Sequence, residues 1–408
     1  MVWLISSDFL FTYRSNDVKL PIYSKYAVIR RSSMKVVIAI DSFKGCLSSM
    51  EAGNAARDGV LLARPDAQVT VMPLADGGEG TASALTAGMK GYMTWLNVTG
   101  PMGDRVRCCY GILPRTMTAV MEMAAAAGLT LVDPQKRDPL KATTFGVGEM
   151  IIDAVHKGCR DFIIGIGGSA TNDGGIGMLK ALGVLFYDRY GNDPGQGAQA
   201  LSRIARIKTV GMEPLLKSCR FRIACDVNNP LYGKNGATYI YGRQKGVADN
   251  MLEPLDKAMA SYGDIVKKTV CCDFTGYPGA GAAGGLGFAF LSFLNGELSP
   301  GTDLVMEATG LENAVKDADI VITGEGRLDH QTSMGKAPVR VARLAHRYHA
   351  KVIAVAGSIT KDAKECNDAG IDAFFPILRS TCSLDEAMDP KNAVENIKDT
   401  VEQIFRLL

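Results

Sequence analysis

The sequence has almost no net charge, few aromatic residues, only four histidines and no cysteine pair at metal-ligand spacing. A formal charge of +2 over 408 residues gives no bulk electrostatic reason to bind nucleic acid or an anionic membrane. Aromatic residues at 7% supply no stacking platform for single strands. The ten cysteines are scattered, with adjacent pairs at Cys108/Cys109 and Cys271/Cys272; no C-x-x-C occurs and the histidines lie apart from them, which removes a zinc site. They read as small buried hydrophobes in a reducing compartment, hence a cytoplasmic protein. No apolar run reaches membrane-spanning length. A basic start and a small-residue cleavage site are also missing, so no secretory signal is expected.

What is present is an average globular composition, 47% hydrophobic and 22% charged. The length suggests two domains or three, at about 150 residues each. Residues 1–33 have no settled period and read as a disordered or extraneous leader, with Met34 as the functional start. An Arg-tipped organelle address fits them less well, because Asp8 and Asp17 interrupt it. From Met34 the pattern is regular. "MKVVIAI" predicts a buried parallel strand, Ser48 to Glu51 a capping box opening a helix to about Ala63, and "AQVTVMPLA" a second strand. "DIVITG" (Asp319 to Gly324) and "KVIAVAGS" repeat this grammar near the C-terminus, while "TWLNVTG", "RVRCCYGIL" and "TAVMEMA" alternate like antiparallel strands. The expectation is an α/β protein: a doubly wound parallel-sheet domain split between residues 34–84 and 286–408, with a second α/β domain of mixed sheet inserted at 85–285.

Open parallel sheets collect ligands at the carboxyl ends of their strands, so the loops at Asp41, Asp76 and Gly324 draw attention. "DSFKG" offers Ser42 and Lys44, or merely a solvated lysine. "ADGGEGT" (Asp76, Gly77, Gly78, Glu79, Gly80) offers backbone N–H groups to an anion, or else an ordinary helix cap. "GEGRLDHQTSMGK" gathers Glu325, Arg327, Asp329 and Lys336 in a loop that is not a Walker A motif. Gly165 to Ala170 fits G-x-G-x-x-A, and Asp188 follows at about the distance of a ribose partner. An NAD(P)-dependent oxidoreductase is therefore an alternative, weakened by the extra glycines that delay the helix. A packed structural turn is another. Asp226 in "CDVNNPL" is either an Asx turn or a carboxylate facing magnesium. "PGAGAAGGLG" (Pro278 to Gly287) presents backbone to a nucleotide or packs helices closely.

Taken together, "DSFKGCLSS", "PLADGGEGT", "VTGPMGDRV", "MAAAAGL", "ATTFGVGE", "IGIGGSATNDGGIGML", "CDVNNPL", "PGAGAAGGLG" and "ITGEGRLDHQTSMGKAP" resemble the type one glycerate kinase family. The likeness runs from Met34 nearly to the C-terminus. It implies a split flavodoxin-like domain and ATP-dependent phosphorylation of D-glycerate with Mg²⁺, the 2-phosphoglycerate product being favoured over the 3-phospho isomer. Under that resemblance Asp173 or Asp329 is the expected base, with Lys44 also at the reacting centre. Ser42, Lys44, Asn172 and Arg327 are expected to hold the substrate. Asp76 to Gly80, Gly167, Gly168, Ser169, Thr171, Gly281 and Lys336 are expected around the nucleotide, and Asp226 or Asp76 toward the metal. A non-catalytic module that senses a hydroxy acid with the same cleft is the remaining alternative.

Overall fold

The computed structural model describes residues 33–408 as one compact unit; of the leader expected at residues 1–33, residues 1–32 lie outside the described residues. Its strands are β1 (Lys35–Ile40), β2 (Gln68–Val71), β3 (Tyr92–Thr99), β4 (Arg105–Leu113), β5 (Thr118–Glu122), β6 (Asp161–Gly165), β7 (Leu185–Tyr187), β8 (Arg206–Lys208), β9 (Arg220–Ala224), β10 (Glu297–Ser299), β11 (Ile320–Leu328), β12 (Lys351–Ile359) and β13 (Ala373–Pro376).

Both ends of the described chain build the first sheet, which is five-stranded, wholly parallel and ordered β13-β12-β11-β1-β2. Numbered among themselves these strands run 2-1-3-4-5, the flavodoxin-like order. The continuous apolar run of β1 follows from burial on both faces. Val36, Ile38 and Ile40 point into a core with the helices Ser49–Ala63 and Pro390–Leu407, while Val37 and Ala39 meet the helix Ala337–His346 on the other side. The Ser48/Glu51 capping box starts the first of those helices, so its N-terminal N–H groups are satisfied locally.

The second sheet is mixed, with order β10-β9-β6-β5-β4-β3. Strands β10, β9, β6 and β5 run parallel, and β3 and β4 add an antiparallel edge. Alternation in "TWLNVTG" and "RVRCCYGIL" reflects that half-covered edge; Trp95 stays exposed beneath Arg107. The helix Ala282–Leu294 and β10 pack with this second sheet, through Phe288, Phe290 and Leu294, although a boundary at residue 285 would give them to the first. Strand β11 also differs from expectation. It continues past Gly324 through Arg327 and Leu328, because Glu325 pairs with Ala356 and Arg327 with Ser358 of β12. The two strands thus project beyond β1, and β11 carries Glu325 and Arg327 there on regular backbone.

Candidate active site

The strand order reverses between β1 and β11, and a crevice opens at their carboxyl ends. It is a cleft of ≈ 1060 Å³, floored by the first sheet and walled by loops of the second. From the first sheet come Asp41, Ser42, Lys44, Glu325, Arg327 and Lys336; from the second come Gly167, Gly168, Ser169, Asp226 and Lys245. Asp76, Gly77, Gly78 and Asp329 also line it.

The polar centre is tightly paired. Lys44 Nζ donates to Asp76 Oδ2 at 2.7 Å, and the other oxygen of Asp76 accepts the Gly78 N–H at 2.8 Å. Asp329 caps the short helix His330–Ser333 by accepting the Thr332 N–H. Arg327 Nε and Lys336 Nζ each lie 3.6 Å from the Asp329 carboxylate, so two cations are held at the mouth of β11. Thr332 Oγ1 donates to Glu325 Oε1 at 2.5 Å, and burial raises the pKa of Glu325. On the opposite wall Gly167 and Gly168 are exposed, and a Cβ on Gly167 would meet nothing within 4 Å. That open backbone can admit an anion.

Six expected site residues do not line this cleft. Asp173 is fully buried, and its carboxylate accepts four hydrogen bonds, from the N–H groups of Thr144, Gly175 and Gly177 and from the Thr144 hydroxyl. It occupies the N-terminus of the helix Ile176–Ala181, where a phosphate was expected, and it has no approach to a substrate; its assignment as the base is withdrawn. Asn172 is likewise buried, donating to Thr238 Oγ1, and Thr171 is buried with its carbonyl accepting from Lys245. Glu79 and Gly80 face solvent, and the helix Thr81–Gly88 beyond them is served by Glu122, whose Oε1 accepts the Ala82 N–H. An internal carboxylate again takes the anion's place. Gly281 packs under Pro230, where a Cβ would sit 2.2 Å from the carbonyl oxygen.

Most of the glycines are therefore there for packing. Gly284, at φ +68°, lies so close to the preceding loop that a Cβ would be 2.2 Å from the Thr171 carbonyl oxygen; Gly175, at φ +77°, would collide with Ala289 at 2.4 Å. The dinucleotide fingerprint fails for a related reason. After Gly168 the chain stays irregular, and the helix begins only at Ile176, already capped. Asp188 accepts N–H groups of Tyr190 and Asn192 within its own turn.

Three cleft residues were not singled out as site residues in the sequence. Asp41 is 5% exposed at the end of β1, where burial first, then the charge of Asp76, raises its pKa to about 7. Lys245 is 2% exposed; its ammonium donates to Ser169 Oγ and to the Thr171 carbonyl, both at 2.6 Å, and burial lowers its pKa to about 7. Arg340 donates to Asp303 Oδ2 at 2.8 Å and to the Gly335 carbonyl at 2.7 Å. The aspartate has a signal, the end of an apolar strand. Lys245 in "GRQKG" and Arg340 on a helix have none.

A divalent cation bound to a polyphosphate keeps several waters and needs only one or two carboxylates. Asp76 has both oxygens engaged, so the fit falls to Asp226, whose Oδ1 accepts the Gly301 N–H at 3.2 Å. Burial, Asp76 and Asp303 raise the Asp226 pKa, although Gly301 and Arg340 oppose them, and a nearby dication would relieve that strain.

The glycerate kinase family model matches residues 36–408. The chain belongs to the glycerate kinase family. It is 47% identical over 89% of its length to the glycerate 2-kinase of Escherichia coli (strain K12), 95% of which is covered. It is 45% identical over 91% of its length to the glycerate kinase of Bacillus subtilis (strain 168), covering 97% of that chain. A crystal structure from Salmonella typhimurium LT2, provisionally named glycerate kinase 2, superposes with a TM-score of 0.85 at 44% identity, covering 91% of this chain and 97% of that one. As a member of this family the enzyme is a phosphotransferase acting on an alcohol group. Among the described residues, no helix is long and apolar enough to cross a membrane.

Proposed function

We propose that this glycerate kinase family member transfers the terminal phosphoryl group of ATP, carried with Mg²⁺, to D-glycerate in the cytoplasm, giving 2-phosphoglycerate and ADP. The carrying observation is one crevice in which the cations of the first sheet face the exposed Gly167–Gly168 backbone of the second. Phosphoryl transfer needs positioning and charge neutralisation more than covalent chemistry, and this cleft offers both. Lys44 and Arg327 hold the substrate carboxylate, Arg327 through two parallel hydrogen bonds, with Ser42 beside them. Lys336 offsets phosphate charge. Gly167, Gly168 and Ser169 meet phosphate oxygens, and Gly77 and Gly78 border the same space. Asp329 serves by fixing Arg327 and Lys336 rather than by taking a proton. Asp226 would hold Mg²⁺, and that ion would neutralise charge on the phosphates.

The name of the Escherichia coli relative supports phosphorylation at the 2-hydroxyl. All ten cysteines are free, which suits a reducing compartment. The two sheets act as lobes of a split domain and its insert. The test is a coupled ADP-release assay with D-glycerate and Mg-ATP, with the phosphate position read by NMR. Release of ADP together with 2-phosphoglycerate is expected. No glycerate-dependent ADP release, or a 3-phospho product, overturns the corresponding part.

A further inference from the structure

Phosphorylating an alcohol leaves a proton to be removed, and with Asp173 sealed in the core another group must take it. The acceptor has to border the cleft, keep an oxygen free of protein donors, and sit near the cations that would hold the substrate. Each acidic side chain of the cleft can be held to those conditions. Asp76 spends its oxygens on Lys44 and Gly78. Asp329 accepts the Thr332 N–H on Oδ1, with Lys336 Nζ 3.6 Å from that oxygen and Arg327 Nε 3.6 Å from Oδ2, so each oxygen faces a cation of the protein. Glu325 accepts the Thr332 hydroxyl on one oxygen and faces Lys336 with the other at 4.0 Å. Asp226 stands on the opposite wall, tied to Gly301.

Asp41 meets all three conditions, and among the acids on the cation-bearing wall it alone has an oxygen that neither accepts a hydrogen bond nor lies within 4.0 Å of a cation of the described residues. Its backbone N–H donates to the Gly324 carbonyl at 2.9 Å, which fixes it at the point where the strand order reverses. Its Oδ1 accepts the Ser42 N–H at 2.6 Å, while Oδ2 accepts no hydrogen bond from any described residue. We propose that Asp41 is the catalytic base, taking the proton of the attacking hydroxyl on Oδ2. This rests on the phosphotransfer function proposed above. In the step, the substrate oxygen forms a bond to the terminal phosphorus, the bond from that phosphorus to its bridging oxygen breaks, and the electron pair leaves with ADP. The hydroxyl proton passes to the Asp41 carboxylate and is later released to water. The groups facing Asp41 are Asp76 and Glu325, which hinder its ionisation, and Lys44 and the Ser42 N–H, which favour it. Their balance together with burial puts its pKa at about 7, suited to a base that must both accept and return a proton.

Asp41→Asn in the full chain is expected to lower kcat by at least about a hundredfold, with the KM for D-glycerate changed by less than about threefold. The acidic limb of the kcat–pH profile near 7 should vanish, and Asp41→Glu should recover part of the rate. Retained kcat, or a retained acidic limb, overturns the proposal, as does an Asp329→Asn enzyme that loses that limb instead. If Asp41→Asn does not fold, judged by thermal melting with and without Mg-ATP, the wild-type profile decides: a flat kcat from about pH 5.5 to 8.5 is incompatible with a base of this kind. Failure of the underlying function looks different, because wild-type protein would then release no ADP with D-glycerate at any pH.

Discussion

At the scale of single residues, the contrast between Lys44 and Asp173 separates a working group from a structural one. Lys44 is exposed in the cleft and bonded only to Asp76, so its charge is available to a small acid. Lys44→Ala should raise the KM for D-glycerate by about tenfold or more, the usual worth of a charged hydrogen bond of about 1.5–3 kcal/mol. An unchanged KM would remove it from the carboxylate clamp. Asp173→Ala leaves four buried donors without an acceptor, at about 1–3 kcal/mol for each group that water cannot reach. Denaturant unfolding should report a loss of at least about 3 kcal/mol; a variant with wild-type stability and collapsed kcat would return Asp173 to the reaction. Lys245 gives a pH test. Its folded pKa, about 7, lies below the ordinary lysine value of 10.5, so between those limits the unfolded chain binds the extra proton and stability contributed at this site rises with pH. Melting temperatures of wild type and Lys245→Met should therefore diverge in favour of wild type from pH 7 toward 10. A difference that stays constant over that window means the ammonium is not desolvated as its burial implies.

Elements were legible in the sequence where a single period or a local cap specified them. β1 was readable because both its faces are apolar, and the helix after it because Ser48 and Glu51 form its cap three residues apart. β11 was cut short because Glu325 and Arg327 break the apolar run, and what extends the strand is pairing with β12, a partner distant in sequence. The anion sites were misjudged for the same reason. Glycine before a helix signals free N–H groups, but Glu122 and Asp173 fill them from other turns, and no spacing rule reveals that. The two kinds of glycine can be told apart by substitution. Gly284→Ala forces a side chain into left-handed backbone against the Thr171 carbonyl, and should cost at least about 2 kcal/mol, at the upper end of overpacking. Gly167→Ala has room, so it should melt like wild type yet raise the KM for ATP, because its methyl group enters the space offered to phosphate. Equal behaviour of the two variants would contradict this division.

For the whole molecule, the cleft depends on how the two sheets are held, since neither carries a complete set of polar groups. One tie is explicit. Arg340, on the helix Ala337–His346 that covers the first sheet, reaches Asp303 on the helix Gly301–Thr309, and its Nε also holds the Gly335 carbonyl beside Lys336. The helix Gly301–Thr309 packs by Val305 against Val120 and Ile163 of the second sheet, so this ion pair spans the two cores. Displacing reacting groups by about 1 Å can cost about a hundredfold in rate, so losing the tie should be felt at the chemistry. Arg340→Ala is expected to lower kcat/KM for ATP by about tenfold or more while the melting temperature shifts only slightly, as a half-exposed pair contributes about 0–1 kcal/mol to stability. Arg340 also borders the cleft, so the loss alone would not distinguish a tie from direct contact with phosphate. Asp303→Ala makes that distinction. If the ion pair positions the lobes, removing Asp303 reproduces most of the defect and the double variant adds little to it. If Arg340 acts on the nucleotide, Asp303→Ala stays near wild type, and the coupling between the sheets has to be sought elsewhere.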